Sequence, residues 1–314
     1  QYAVMLPKGL IQAGKTVGGP FTHARNFSSG AVTTVALGNF SYALRHPLVA
    51  YQSMKTAFNT LQPQLLYRNK PGASRYIEKG GKQISLSDSE FADALKGEGG
   101  QALYRFLLEE GMVNQSAIMR DAIGLLEDVA KQGFLMKAWN KLGKKTKAVI
   151  KGAQDMYVAE DDIWKTWNFL VEDHKIAGAY QRAIKKKIIN PATNKPYTQM
   201  DIPNRLDIMK MATQNVREML PNYAYVSELV QASRRSPLGN FVSWPAEIIR
   251  TSTNISMKSR IEMKDPVFKA IGVERAAGFA FTVGTIGPAA VWGASQVAGF
   301  TKEKLMALRE FVPY

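Results

Sequence analysis

Residues 9–16, Gly9-Leu10-Ile11-Gln12-Ala13-Gly14-Lys15-Thr16, carry the letters of a phosphate-binding loop, G-x-x-x-x-G-K-[ST]. In such a loop backbone amides cradle phosphates, the lysine neutralises them and the hydroxyl holds magnesium. That chemistry needs a buried strand before the loop and a helix after it. Here Pro7 and Lys8 interrupt the short run from Tyr2 to Leu6, and no βαβ periodicity follows. The stretch therefore reads as a basic helix, with a nucleotide hydrolase as the minor alternative. Two acidic groups, Glu160-Asp161-Asp162 and Glu172-Asp173-His174, have the residue types of a metal site or a general base. Neither has a recognisable set of partners, so both are expected on solvated helix faces.

The chain has no cysteine, and its three histidines, His23, His46 and His174, stand far apart in sequence. Disulfides, thiolate nucleophiles and Cys-based clusters are thus excluded, and a conventional His-rich metal site is not expected. No catalytic residue, metal or cofactor is assigned, and the segment reads as non-enzymatic.

Charge points elsewhere. Forty-one Lys and Arg against 26 Asp and Glu give a net charge of +15, a field that attracts phosphate backbones or anionic headgroups. Lysines gather from Lys131 to Lys151 and basic residues again from Arg182 to Lys187. Lys141, Lys144, Lys145, Lys185, Lys186 and Lys187 are the candidate contacts to DNA phosphates. A merely solvated face is the alternative. Trp164 and Trp167, three residues apart on an apolar stripe, are expected in the core and not as a base-stacking platform.

Residues 276–300, AAGFAFTVGTIGPAAVWGASQVAGF, are 25 positions without a charge. About 20 apolar residues suffice for a membrane-crossing helix. The five glycines, Pro288 and several hydroxyl side chains weaken that reading. Small residues four apart let helix backbones approach closely in lipid or in an oligomer. Gly284, Gly287, Ala290, Gly293, Ala294 and Ala298 are the candidate membrane or helix-packing positions. The alternative is a buried helical hairpin turning at Gly287-Pro288.

The elements that would position these groups are helices. The reading is all-α, an elongated multi-helix assembly of long amphipathic helices with a Gly/Ala-rich apolar helical segment near the C-terminus. A basic N-terminal helical segment spans 1–62, with helices near 7–17, 22–37 and 47–61. A flexible loop is expected at 63–84 from its Gly and Lys content. A long-helix domain covers 85–189, opening at the capping box Ser87-Asp88-Ser89-Glu90 and continuing in helices near 101–110, 116–147 and 154–188. The first of those two long helices is expected to end in its lysines. A loop at 190–203 follows, marked by Asn190-Pro191, Lys195-Pro196 and Ile202-Pro203. A C-terminal helical segment, 204–314, contains helices at 205–220 and 223–232, one from Pro245, and the apolar run.

Segments 6–10 (LPKGL), 14–17 (GKTV), 22–27 (THARNF), 236–250 (SPLGNFVSWPAEIIR) and 308–313 (LREFVP) resemble a helical region of very large tailed-bacteriophage virion proteins. These include internal core or DNA-ejection proteins and related large polyvalent proteins. The resemblance implies that Gly14-Lys15-Thr16 belongs to a helical pattern, and that this chain is one part of a longer polypeptide. It implies storage in the capsid interior beside the portal, other internal virion proteins and packaged double-stranded DNA. It further implies a homo-oligomer that leaves ahead of the genome and forms or supports a conduit across the host envelope, including the inner membrane. A DNA-binding virion core module with no membrane role is the second reading.

Overall fold

The computed structural model describes residues 20–67, 76–79, 82–85, 101–113, 144–221 and 243–289. These residues are mostly α-helical, with two short antiparallel hairpins. The elements are α1 (Pro20–Ala36), α2 (Asn39–Arg45), α3 (Pro47–Tyr67), β1 (Tyr76–Lys79), β2 (Lys82–Ser85), α4 (Gln101–Glu109), α5 (Lys144–Lys185), β3 (Ile189–Asn190), β4 (Lys195–Pro196), α6 (Arg205–Met219), α7 (Ser243–Lys264) and α8 (Lys269–Phe281). A π-helical turn, Thr282–Ile286, continues α8.

The 42-residue α5 is the axis. Helices α1, α3 and α6 pack along it, and α8 lies against both α7 and α1. One core draws Leu37, Phe106, Leu107, Phe169, Ile176, Met209, Val216 and Ile255 together, so residues from all parts of the sequence contribute to it. Phe106 and Phe169 rings stand 6.0 Å apart. A satellite cluster seats Tyr42, Ala57, Trp167 and Val171, and Trp167 donates its indole N–H to the Ala50 carbonyl at 3.1 Å. The core placement expected for Trp167 holds. Trp164 packs in T-shaped contact with it at 6.0 Å and against Phe27 at 5.1 Å.

Close helix approach depends on missing side chains. A Cβ on Gly30 would stand 2.2 Å from Trp164 Cδ1, one on Gly278 2.2 Å from the Val35 carbonyl oxygen, and one on Gly272 2.6 Å from the Met263 nitrogen. Gly38 turns the chain between α1 and α2 at φ 72°, a left-handed conformation that glycine adopts without a Cβ penalty.

Helix ends follow local chemistry. Asn204 caps α6, its side chain accepting the Asp207 N–H at 2.9 Å. Asp265 Oδ1 accepts the Val267 N–H at 2.8 Å in the turn between α7 and α8. Two helices close in the same way. After α4, Gly111 at φ 66° lets Met112 N–H reach the Leu107 carbonyl; after α5, Lys187 at φ 52° lets Ile188 N–H reach the Ala183 carbonyl. Both are Schellman closures, but only the first has the residue suited to it. Lys187→Gly is expected to raise stability by about 0.5–1 kcal/mol, measured by urea unfolding.

Several expectations change. The region expected as a flexible loop at 63–84 is in part ordered: α3 runs to Tyr67, and β1 pairs with β2 in the register Ile77 to Ile84 and Lys79 to Lys82. The all-helical expectation is corrected to this extent. A second ladder, Ile189 to Pro196 and Asn190 to Lys195, and a 3-10 turn, Gln199–Asp201, occupy the loop expected at 190–203. The helix expected to end in its lysines near 147 does not end there, because α5 runs unbroken through Lys147 and Lys151. Residues 9–16, the capping box at 87–90, residues 116–143 of the helix expected at 116–147, and the helix expected at 223–232 lie outside the described residues.

Candidate functional site

The polar residues with the most developed geometry lie inside the bundle. Arg275 on α8 is fully buried. Its Nε and Nη2 reach Glu262 of α7 at 2.8 and 2.9 Å, its Nη1 and Nη2 reach Glu172 of α5 at 3.2 and 2.9 Å, and Nη1 also reaches the Leu37 carbonyl at 3.4 Å. A guanidinium has five N–H donors, and five acceptor contacts meet them. Lys175 lies one turn along α5 and donates to Glu172 at 3.3 Å and to Asn39 Oδ1 at 2.8 Å. Asn39 passes a hydrogen bond to Asn168 at 2.9 Å, and Asn168 donates to Thr34 at 2.9 Å. Asn215 of α6 donates to Glu172 at 3.1 Å.

Two cations and two carboxylates thus balance in an almost fully buried space. Burial alone would push the Glu172 carboxyl up, but Arg275, then Lys175, and hydrogen bonds from Arg275 and Asn215 hold it well below the usual carboxylate range. Burial likewise pulls Arg275 down, and the two carboxylates outweigh it, leaving its pKa raised. At Lys175 burial wins over Glu172, and the ammonium is depressed from its ordinary value of 10.5. The arrangement ties α1, α2, α5, α6, α7 and α8 to one point. Satisfied buried networks of this kind cost desolvation energy and specify one arrangement of the elements that supply them.

Most of the two acidic groups is turned inward, with His174 exposed and Asp161 half-buried. Glu172 and Asp173 are buried, Glu172 in the network and Asp173 against Arg205, which forks onto both its oxygens. Glu160 and Asp162 are buried as well, and Asp161 pairs with buried Lys165 at 2.6 Å. Among the described residues no group of three or more His, Asp or Glu is arranged to hold a metal ion. Sequence reasoning missed the network although α5 carried a signal: Asn168, Glu172 and Lys175 sit at helical spacing on the stripe of Trp164 and Val171.

The lysines divide. Lys185 lies in the last turn of α5 and Lys186 and Lys187 just beyond it, all three exposed. Lys144 and Lys145 begin the described part of α5, roughly 60 Å away at 1.5 Å per residue. The two groups therefore stand at opposite ends of the described α5. Lys141 lies outside the described residues. So do Ala290, Gly293, Ala294 and Ala298.

Of the apolar run, residues 276–289 are described. Gly278 and Phe279 pack inward, while Phe281 and Val283 are 54% and 58% exposed. Gly284 and Gly287 are exposed, and nothing lies within 4 Å of the Cβ that Gly284 lacks. The backbone stays helical across residues 287–289, so Gly287-Pro288 is not the turn of a buried hairpin. Among the described residues no helix is long and apolar enough to cross a membrane.

These features define a mostly α-helical protein organised around a buried ionic network. No protein-family model, curated protein or solved structure matches the chain.

Proposed function

We propose that this chain is a non-enzymatic structural segment of a tailed-phage internal virion protein, an elongated helical assembly stored in the capsid against packaged DNA and used in genome delivery. The resemblance of segments 6–17, 22–27, 236–250 and 308–313 gives the reading its class. The observation that carries its mechanism is the start of the uncharged run: α8 leaves the core at Phe279, and Phe281 and Val283 then stand exposed on a helix with no charge after Arg275. Exposed apolar surface on a helical segment marks a contact still to be made, with another copy or with lipid. In this reading residues 276–300 make that contact in a conduit across the host envelope, with portal and other internal virion proteins as neighbours.

The second reading, a DNA-bound core module with no membrane role, is favoured by the exposed Lys185, Lys186 and Lys187 at the end of α5. Vesicle flotation separates the two. The full chain and a variant lacking 284–300, which keeps Gly278 and Phe279 in place, are floated with anionic and neutral vesicles at low and high salt. Binding that survives high salt and disappears with the deletion supports the conduit. Binding that vanishes with salt and ignores the deletion leaves the basic patches as the functional surface.

A further inference from the structure

Two of the three histidines, far apart in sequence, meet at the surface where α2 joins α5. The Tyr42 hydroxyl stands 2.6 Å from His174 Nδ1, the Tyr42 and His46 rings are 4.4 Å apart, and the His46 and His174 rings 6.3 Å apart. Both imidazoles are exposed and Tyr42 is buried beneath them. Further along the same face of α5 come Gly178 and Arg182, four and eight residues after His174. Helical side chains lean toward the N-terminus, and the absent side chain at Gly178 leaves the space. Arg182 Nη1 lies 3.3 Å from where a Gly178 Cβ would be. Its guanidinium is thus directed back at the His174–Tyr42 pair, whose ionisation it influences.

Each carboxylate facing this cluster has a cation partner, although Glu274 Oε2 is buried without a hydrogen bond. Glu274 of α8 pairs with Arg45 at 2.6 Å, Asp173 is held by Arg205 of α6, and Glu172 and Glu262 belong to the buried network with Lys175 and Arg275. Five cations, Arg45, Lys175, Arg182, Arg205 and Arg275, therefore face four carboxylates, and Arg182 is the one with no carboxylate partner among the described residues.

We propose that His46, His174 and Arg182 form an oxyanion site that takes a phosphate group. The Tyr42 hydroxyl keeps its proton, since burial raises its pKa above 10.0, and shares a hydrogen bond with His174 Nδ1. With the hydroxyl donating, the neutral ring carries its proton on Nε2; when the ring takes up a second proton at Nδ1 the same bond reverses, so Nε2–H is a donor in both states. His46 adds a second ring edge and Arg182 a planar fork suited to phosphate oxygens. A divalent cation fits poorly beside Arg45 and Arg182. The site adjoins the basic end of α5, where Arg182 shares the last turn with Lys185, and it does not depend on the virion reading.

Burial lowers the His174 pKa from 6.5, and His46 and Arg182 lower it further against the pull of Asp173, so the empty site holds His174 neutral near pH 7. A bound anion favours the imidazolium. The bound-state pKa then exceeds the free one, binding takes up a proton, and affinity rises as pH falls through that interval. Inorganic phosphate itself loses charge on acidification, so tightening at lower pH comes from the protein.

The test uses the 314-residue chain with 13C-labelled histidine, whose three ring signals are followed by NMR. Inorganic phosphate and a short DNA duplex are titrated separately at pH 6 and pH 7.5. The His46 and His174 signals should move and saturate, more tightly at pH 6, while His23 on α1 stays put. Arg182→Gln should weaken binding about tenfold, the loss of one charge-assisted contact, with the thermal midpoint unchanged because Arg182 is exposed. His174→Gln should remove the tightening at pH 6, leaving inorganic phosphate bound no more tightly there than at pH 7.5. Tighter binding of the duplex through the same two histidines identifies a nucleic-acid backbone as the source of the phosphate, and a response to inorganic phosphate alone identifies the free anion. Equal movement of all three histidines, no movement of His46 and His174 with either titrant, or indifference to Arg182→Gln overturns the site.

Discussion

Arg275→Met should destabilise the protein by about 3–5 kcal/mol, the cost of leaving a buried charge without its partner. A folded domain holds about 5–15 kcal/mol in all, so most of the stability would go. The substitution removes five hydrogen bonds and leaves Glu172 and Glu262 buried with only Lys175 to balance them. Removing Glu262 at the same time restores neutrality: Glu172 and Lys175 remain as a pair, so Arg275→Met with Glu262→Met should be more stable than Arg275→Met alone. Denaturant unfolding of both variants checks this, and a double variant weaker by the sum of two large single losses would speak against a coupled network.

The same network sets an acid dependence. The folded-state pKa of Glu172 lies far below its ordinary 4.5, so its contribution is fully present above that value and is lost as pH falls below it. In Arg275→Met the depression is largely removed, and stability should change less steeply below pH 4.5 than in the parent.

Gly278→Ala should cost about 3 kcal/mol. The added Cβ would meet the Val35 carbonyl oxygen at 2.2 Å and the Gly38 nitrogen at 2.8 Å, both backbone atoms that cannot turn aside. Helices α1 and α8 would have to separate, which also draws Arg275 away from the Leu37 carbonyl, and overpacking of this severity sits at the top of the usual range. Gly284→Ala, six residues on, meets nothing within 4 Å and should leave stability unchanged or raise it slightly. Thermal unfolding of the pair separates a packing glycine from an exposed one.

Helix identity was legible wherever local chemistry determines it. The 22–37, 101–110 and 205–220 expectations fall within two residues of α1, α4 and α6, because caps, prolines and apolar periodicity act within a few positions. The hairpin of β1 and β2 has a two-residue signature in the sequence, Gly80-Gly81 between two runs each carrying an isoleucine, which the Gly and Lys content of the stretch disguises as a loop. The buried network was harder to read. Arg275 bonds Leu37 and Glu172 across 238 and 103 positions, and a single sequence gives no sign that distant charges balance. A charged triplet such as Glu172-Asp173-His174 looks solvated until its partners are in place. The close approaches occur at Gly30, Gly38, Gly272 and Gly278, of which only Gly278 belongs to the uncharged run, while Gly284 meets nothing within 4 Å; spacing alone does not say which glycine faces a neighbouring helix.

The proposed conduit role turns on whether the exposed end of α8 enters a bilayer. Because the chain has no cysteine, one can be placed at Val283 and, as a control, at Met200, which is 98% exposed, and each labelled with an environment-sensitive fluorophore. On addition of anionic vesicles the account predicts a blue shift at position 283, quenching there by brominated lipid at high salt, and no change at position 200. No shift at 283, or the same shift at both positions, would contradict it.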